Sequence, residues 1–100
     1  MNVPPVTSIE NALKIYYNHV EIGNAEMSVL FGRRSTNTLA QLKKEVKREM
    51  DNRGVHSYGL YKVNTAVAFE TWGIDVADLE KRKKKIKELN LHDVSAAEKK

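Results

Sequence analysis

The chain has 100 residues, 41% of them apolar, with two prolines and five glycines; this is globular sequence for one small domain and too little for two cores. Seventeen Lys and Arg against thirteen Asp and Glu leave a formal charge of +4 and a pI near 9.4, which points to an acidic partner. The absence of cysteine excludes a disulfide scaffold, a thiolate nucleophile and Cys-based metal centres, and no apolar run exceeds Ala66–Phe69, too short to span a membrane.

The opening Met1-Asn2-Val3-Pro4-Pro5 has neither the basic nor the apolar stretch of a leader, so a cytoplasmic protein is expected. Both prolines fall here. Beyond them the apolar spacing is mostly three to four, which predicts an all-α chain of about five helices. Thr7, with Glu10 three residues on, forms a capping box that starts the first helix. Its face is Ile9, Leu13, Tyr16, Tyr17 and Val20 with Ala12 beside them, and it ends near residues 19–21, before Gly23. A short second helix runs from about Asn24 to Phe31, buries Met27, Leu30 and Phe31, and turns at Gly32. The third starts at Ser35 or Thr36 and reaches about Asn52, with Gly54 as its stop and Leu39, Leu42, Val46 and Met50 as its apolar stripe.

Residues 54–63 show no helical period and favour Tyr and Val, which predicts an extended connector or short strand. Asn64 or Thr65 caps a fourth helix through Trp72, packing Val67, Ala68, Phe69 and Trp72, and Gly73 closes it. Asp75 caps a fifth, with Ile74 and Leu79 placed for a hydrophobic staple. Its stripe of Val76, Leu79, Ile86 and Leu89 is interrupted by Arg82 and Lys83. A single helical domain over residues 1–92 is expected to give way to a flexible polar tail over 93–100.

Charge alternates along the chain. Residues 1–32 and 55–80 sum to −2 and −3, residues 33–54 and 81–100 to +4 and +5, so particular helices carry the positive field. Winding the third helix at ~100° per residue puts Asn37, Gln41, Lys44 and Arg48 opposite its apolar stripe, with Arg34 near the edge. That face has the chemistry a major groove asks for: amides pair with adenine edges, Arg with guanine, Lys with phosphate. Ser35, Thr36, Asn37 and Thr38 are small polar residues that let a helix N-terminus approach a phosphate.

Met27-Ser-Val-Leu-Phe-Gly-Arg-Arg-Ser-Thr-Asn-Thr-Leu-Ala-Gln-Leu42 resembles the helix-turn-helix family of DNA-binding proteins. The residue after the turn glycine is Arg33 rather than an apolar one, and the distance from that glycine to the next core leucine is one residue longer than the usual pattern, so the turn is a lengthened variant. The resemblance implies that Arg34, Asn37, Thr38 and Gln41 sit at base-reading or phosphate positions. A short basic helical protein with this motif is also similar to small regulators from phages and mobile elements. On this reading the partner is double-stranded DNA, positioned by Arg33, Lys43, Lys44 and Lys47 and read by Arg34, Asn37 and Gln41.

The run Lys81-Arg82-Lys83-Lys84-Lys85-Ile86-Lys87 is either a solvated helix face or a phosphate-tracking arm. Tyr16, Tyr17, Phe69 and Trp72 fit core stripes; Tyr58 and Tyr61 are left between core and base stacking. His19, His56 and His92 lack metal-ligand spacing, Glu10, Glu21 and Glu26 have capping or surface explanations, and no phosphate loop, nucleophile elbow or triad is visible. No enzyme activity, metal or cofactor is therefore expected. One helix-turn-helix reads only a half-site, so a homodimer or larger homo-oligomer is expected, with Leu79, Ile86 and Leu89 as the contact. The alternative is a helical self-assembly or adaptor protein, such as a packaging or scaffold component, using that same contact.

Overall fold

A computed structural model of the protein describes residues 2–98, with side chains through residue 89. The elements run α1 (Ile9–Asn18), β1 (Glu21–Ile22), α2 (Asn24–Phe31), α3 (Thr36–Arg53), β2 (Val63–Asn64), α4 (Thr65–Thr71) and α5 (Val76–Glu98). Five helices dominate, as the apolar spacing predicts.

Local cap chemistry sets most of the boundaries. Ser35 Oγ accepts the Thr38 N–H at 3.2 Å, Asn64 Oδ1 the Val67 N–H at 3.0 Å, and Asp75 Oδ1 the Asp78 N–H at 3.2 Å. Glu26 Oε1 accepts the Gly23 N–H at 2.8 Å, so the cap of α2 is Gly23 and Asn24 is the first residue of the helix. Gly54 stops α3 in the left-handed conformation, at φ 70°. The first helix departs from expectation: its cap is Ser8, whose Oγ accepts the Asn11 N–H at 3.2 Å. Thr7 serves a tertiary contact instead. Its hydroxyl donates to Val29 O at 3.0 Å and its N–H to Leu30 O at 3.0 Å, both carbonyls left open by the end of α2.

One core joins all five helices. It takes Ala12, Leu13 and Ile15 from α1, Met27, Leu30 and Phe31 from α2, and the whole stripe Leu39, Leu42, Val46 and Met50 from α3. Val67, Ala68, Phe69, Trp72 and Leu79 close it, and Ile74 and Val76 pack on its edge. Two residues expected in the core lie outside it. Tyr17 is exposed because the buried arc of α1 turns toward Ala12 and Ile15, and Val20 is exposed beyond the end of that helix at Asn18. The Tyr17 hydroxyl donates to Glu80 Oε1 at 2.9 Å, and that acceptor raises its pKa above the usual phenol value. Of the fifth stripe, Leu79 is buried, Val76 half-buried, and Ile86 and Leu89 exposed. Helix α5 takes in residues 93–98, where the tail was expected; their side chains lie outside the described residues.

The connector after α3 ends in a strand that has a partner the sequence did not signal. Glu21 pairs with Asn64 and Ile22 with Val63, antiparallel, with Ile22 and Val63 fully buried. Helix α3 packs on α4 and β2, and α1 on α2 and α5. Among the described residues no helix is long and apolar enough to cross a membrane.

Candidate nucleic-acid interface

Helix α3 is seated from two sides. Its four-residue apolar stripe enters the core, and the Trp72 indole N–H, itself buried, donates to Leu42 O at 3.2 Å. At its far end Arg53 bonds both Glu49 of the same helix and Glu70 of α4, and the Arg53 bond holds the Glu49 carboxyl below the usual carboxylate range. A helix fixed this way presents a defined outward face. Asn37, Gln41, Lys44 and Arg48 are all exposed on it. Asn37, Gln41 and Lys44 have no hydrogen-bond partner among the described residues, and Arg48 meets Glu45 only at 3.9 Å in an exposed pair of little energetic weight.

The other residues proposed from sequence divide by what they touch. Arg33 and Thr36 are exposed. Arg34 donates through Nε to Phe31 O at 3.2 Å, which ties the turn between α2 and α3 to the end of α2 and occupies one guanidinium donor. Ser35 and Thr38 are engaged with each other, 2.9 Å between hydroxyl oxygens, and with the helix's first turn. Their side chains shape the helix end, and Thr38 is half-buried. Lys43 is half-buried and donates to Tyr61 O at 3.3 Å; burial and the neighbouring Lys47 press its pKa below the usual lysine range.

Lys81, Arg82, Lys84 and Lys85 are exposed on α5, a helix that packs along α1. Arg82 is bound to Asp78 at 2.8 Å. The two basic regions thus ride on different packing pairs, α3 with α4 and α5 with α1.

Two features escaped the sequence. Glu21, read as a surface or capping acid, accepts the N–H groups of Tyr58 and Gly59 at 2.6 and 2.7 Å. It thereby anchors the loop of residues 55–62, whose Tyr58, Leu60 and Tyr61 are exposed. The signal available in the sequence was an aromatic-rich stretch without acids, residues 54–64. Among the described residues no three His, Asp or Glu side chains gather as a metal site. No protein-family model, curated protein or solved structure matches the chain.

Proposed function

We propose that this protein binds duplex DNA by laying α3 in the major groove, with α2 and the turn 32–35 completing a helix-turn-helix. The observation that carries the reading is the outer face of α3. Asn37, Gln41 and Lys44 have no partner there among the described residues, while every apolar residue of the stripe behind them is buried. Asn37 and Gln41 offer the bidentate amides that adenine accepts, Arg48 and the remaining donors of Arg34 suit guanine or phosphate, and Arg33, Lys44 and Lys47 supply phosphate contacts. From Asn37 to Arg48 the helix rises ~16 Å, enough to follow several base steps. The mechanism is occupancy of a site. It fits a sequence-specific regulator of transcription, recombination or replication in a phage or mobile element, working as a dimer on paired half-sites.

Selection from random duplex DNA tests this directly. On the selected site, Asn37→Ala and Gln41→Ala should each cost ~1–3 kcal/mol in a titration, and Lys44→Ala should lower the salt slope by about 1 without changing preference. If all three variants bind as the parent does, α3 is not the reading element.

A second reading rests on Ile86 and Leu89, which are 47% and 58% exposed on α5 beyond its last core residue. Self-association through them would make the chain a helical scaffold or adaptor component. Sedimentation separates the two readings, since an apolar helix contact persists in salt that dissociates DNA.

A further inference from the structure

The loop of residues 55–62 has a build that the core does not require. Its backbone is fixed at several points. The Val55 N–H donates to Met50 O at 2.9 Å, the Glu21 carboxylate receives two N–H groups at 2.6 and 2.7 Å, and the Lys62 N–H donates to Gly59 O at 3.3 Å. Lys43 of α3 completes the set by donating to Tyr61 O. Tyr61 is held at φ 62°, a left-handed conformation that a side-chain-bearing residue adopts only when its surroundings impose it. The fixed backbone displays three large side chains to solvent, with Tyr58 94%, Leu60 81% and Tyr61 71% exposed. Anchoring and strain spent on an outward-facing aromatic cluster mark a pre-organised contact surface.

The position of the loop names its partner. Lys43 lies on the flank of α3, six residues after Asn37 and so ~9 Å along the helix, at the half-buried edge of the stripe, and the exposed Lys47 one turn on lies about midway between the stripe and the outer face. The loop therefore runs along the flank of α3 that leads, through Lys47, from the stripe to that face. Its chemistry favours a polyanion. Residues 54–64 contain Lys62 and His56 and no acid, the Glu21 carboxylate against them is engaged through both oxygens by backbone N–H groups, and α3 adds Lys43 and Lys47 on the same flank.

We infer that the 55–62 loop is a second duplex contact, in which Tyr58, Leu60 and Tyr61 lie against the sugars and base edges of the minor groove flanking the site that α3 occupies. Lys62 and Lys47 meet the phosphates between the two grooves, and Lys43 uses its remaining donors likewise. Apolar side chains at a base step widen and bend the minor groove, so the loop adds affinity that salt does not remove. This rests on the proposal that α3 reads DNA.

The test uses the full chain and the duplex selected by the parent protein. Tyr58→Ser with Leu60→Ser alters two side chains that the core does not use, and circular dichroism and melting check that it folds. The double variant should bind at least fivefold more weakly, with an unchanged slope of affinity against salt and lost minor-groove protection beside the site. A Tyr58→Trp variant should shift its emission when the duplex is added. A loss below fivefold together with a silent emission overturns the inference, while the Asn37→Ala and Gln41→Ala losses leave the α3 reading standing. Unchanged DNA affinity with an altered oligomeric state also overturns it and assigns the loop to a protein contact. If the parent selects no duplex at all, both readings fall together.

Discussion

Leu42→Ala is expected to lower the unfolding free energy by ~2–5 kcal/mol, read as a fall in Tm of roughly 10 °C or more. Leu42 is 1% exposed at the centre of the α3 stripe, and its carbonyl receives the buried Trp72 N–H. Truncation removes the transfer energy of its side chain and leaves a void beside well-packed neighbours, including the Phe31–Trp72 edge-to-face pair at 5.1 Å. A domain of this size has ~5–15 kcal/mol in all, so the loss takes a large share of it. Thr36→Ala, on an exposed side chain of the same helix, should move Tm little. Equal Tm for parent and Leu42→Ala would show that α3 is not packed through this stripe.

The second large effect is expected at Gly32. Its φ of 81° and ψ of −176° fall in a region that is essentially reserved for glycine, and a Cβ built there meets Thr7 Cγ2 at 3.3 Å. Gly32→Ala should therefore cost about 3 kcal/mol, the upper end of such backbone strain, because the methyl also presses on the residue that ties the N-terminal segment to α2. Gly54→Ala is the internal comparison. Gly54 is left-handed too, at φ 70° and ψ 26°, but a Cβ there meets nothing within 4 Å, so about 1 kcal/mol is expected. Denaturant titration of the two variants gives the ordering. A Gly32 loss no larger than the Gly54 loss would contradict the steric account.

These two glycines also show what a sequence can disclose. Gly32 and Gly54 were readable as helix ends because the chemistry is local, as were the Ser35, Asn64 and Asp75 caps, each of which bonds a group three residues away. Thr7 looked like a cap by the same rule, yet its hydroxyl is used 22 residues away at Val29, and Ser8 next to it caps the helix. A local rule cannot choose between neighbours when one of them has a distant use. Tyr17 was misplaced for a related reason: whether an edge position of α1 is buried depends on where α5 lies, and Tyr17 meets Glu80 across 63 residues. The two-residue strands carry no period to detect.

The outward face of α3 followed from the helical wheel alone, since burial of Leu39, Leu42, Val46 and Met50 dictates which residues point away. What each polar side chain does there did not follow. Ser35, Thr38 and Arg34 are adjacent to Asn37 in sequence and similar in chemistry, but their hydrogen bonds go to the cap and to Phe31 O. The role of Glu21 required knowing that β1 and β2 bring residues 58 and 59 to it, a fact of topology rather than of composition.

That strand pair has a consequence for how the molecule assembles. Helices form from neighbours in sequence, whereas joining Ile22 to Val63 closes a chain segment of about forty residues at an entropic cost of roughly 3 kcal/mol before any bond offsets it. Contacts of such long range are expected late on the folding route, after α2 and α3 have met. Val63→Ala should then speed unfolding while leaving the refolding rate nearly unchanged, and Leu39→Ala should slow refolding, in stopped-flow experiments. A refolding rate that drops for Val63→Ala as much as for Leu39→Ala would place the pairing in the nucleus. With the pairing late, the Glu21 carboxylate reaches Tyr58 and Gly59 only at the last stage, so a chain caught before that stage already holds α3 and still lacks an ordered 55–62 segment.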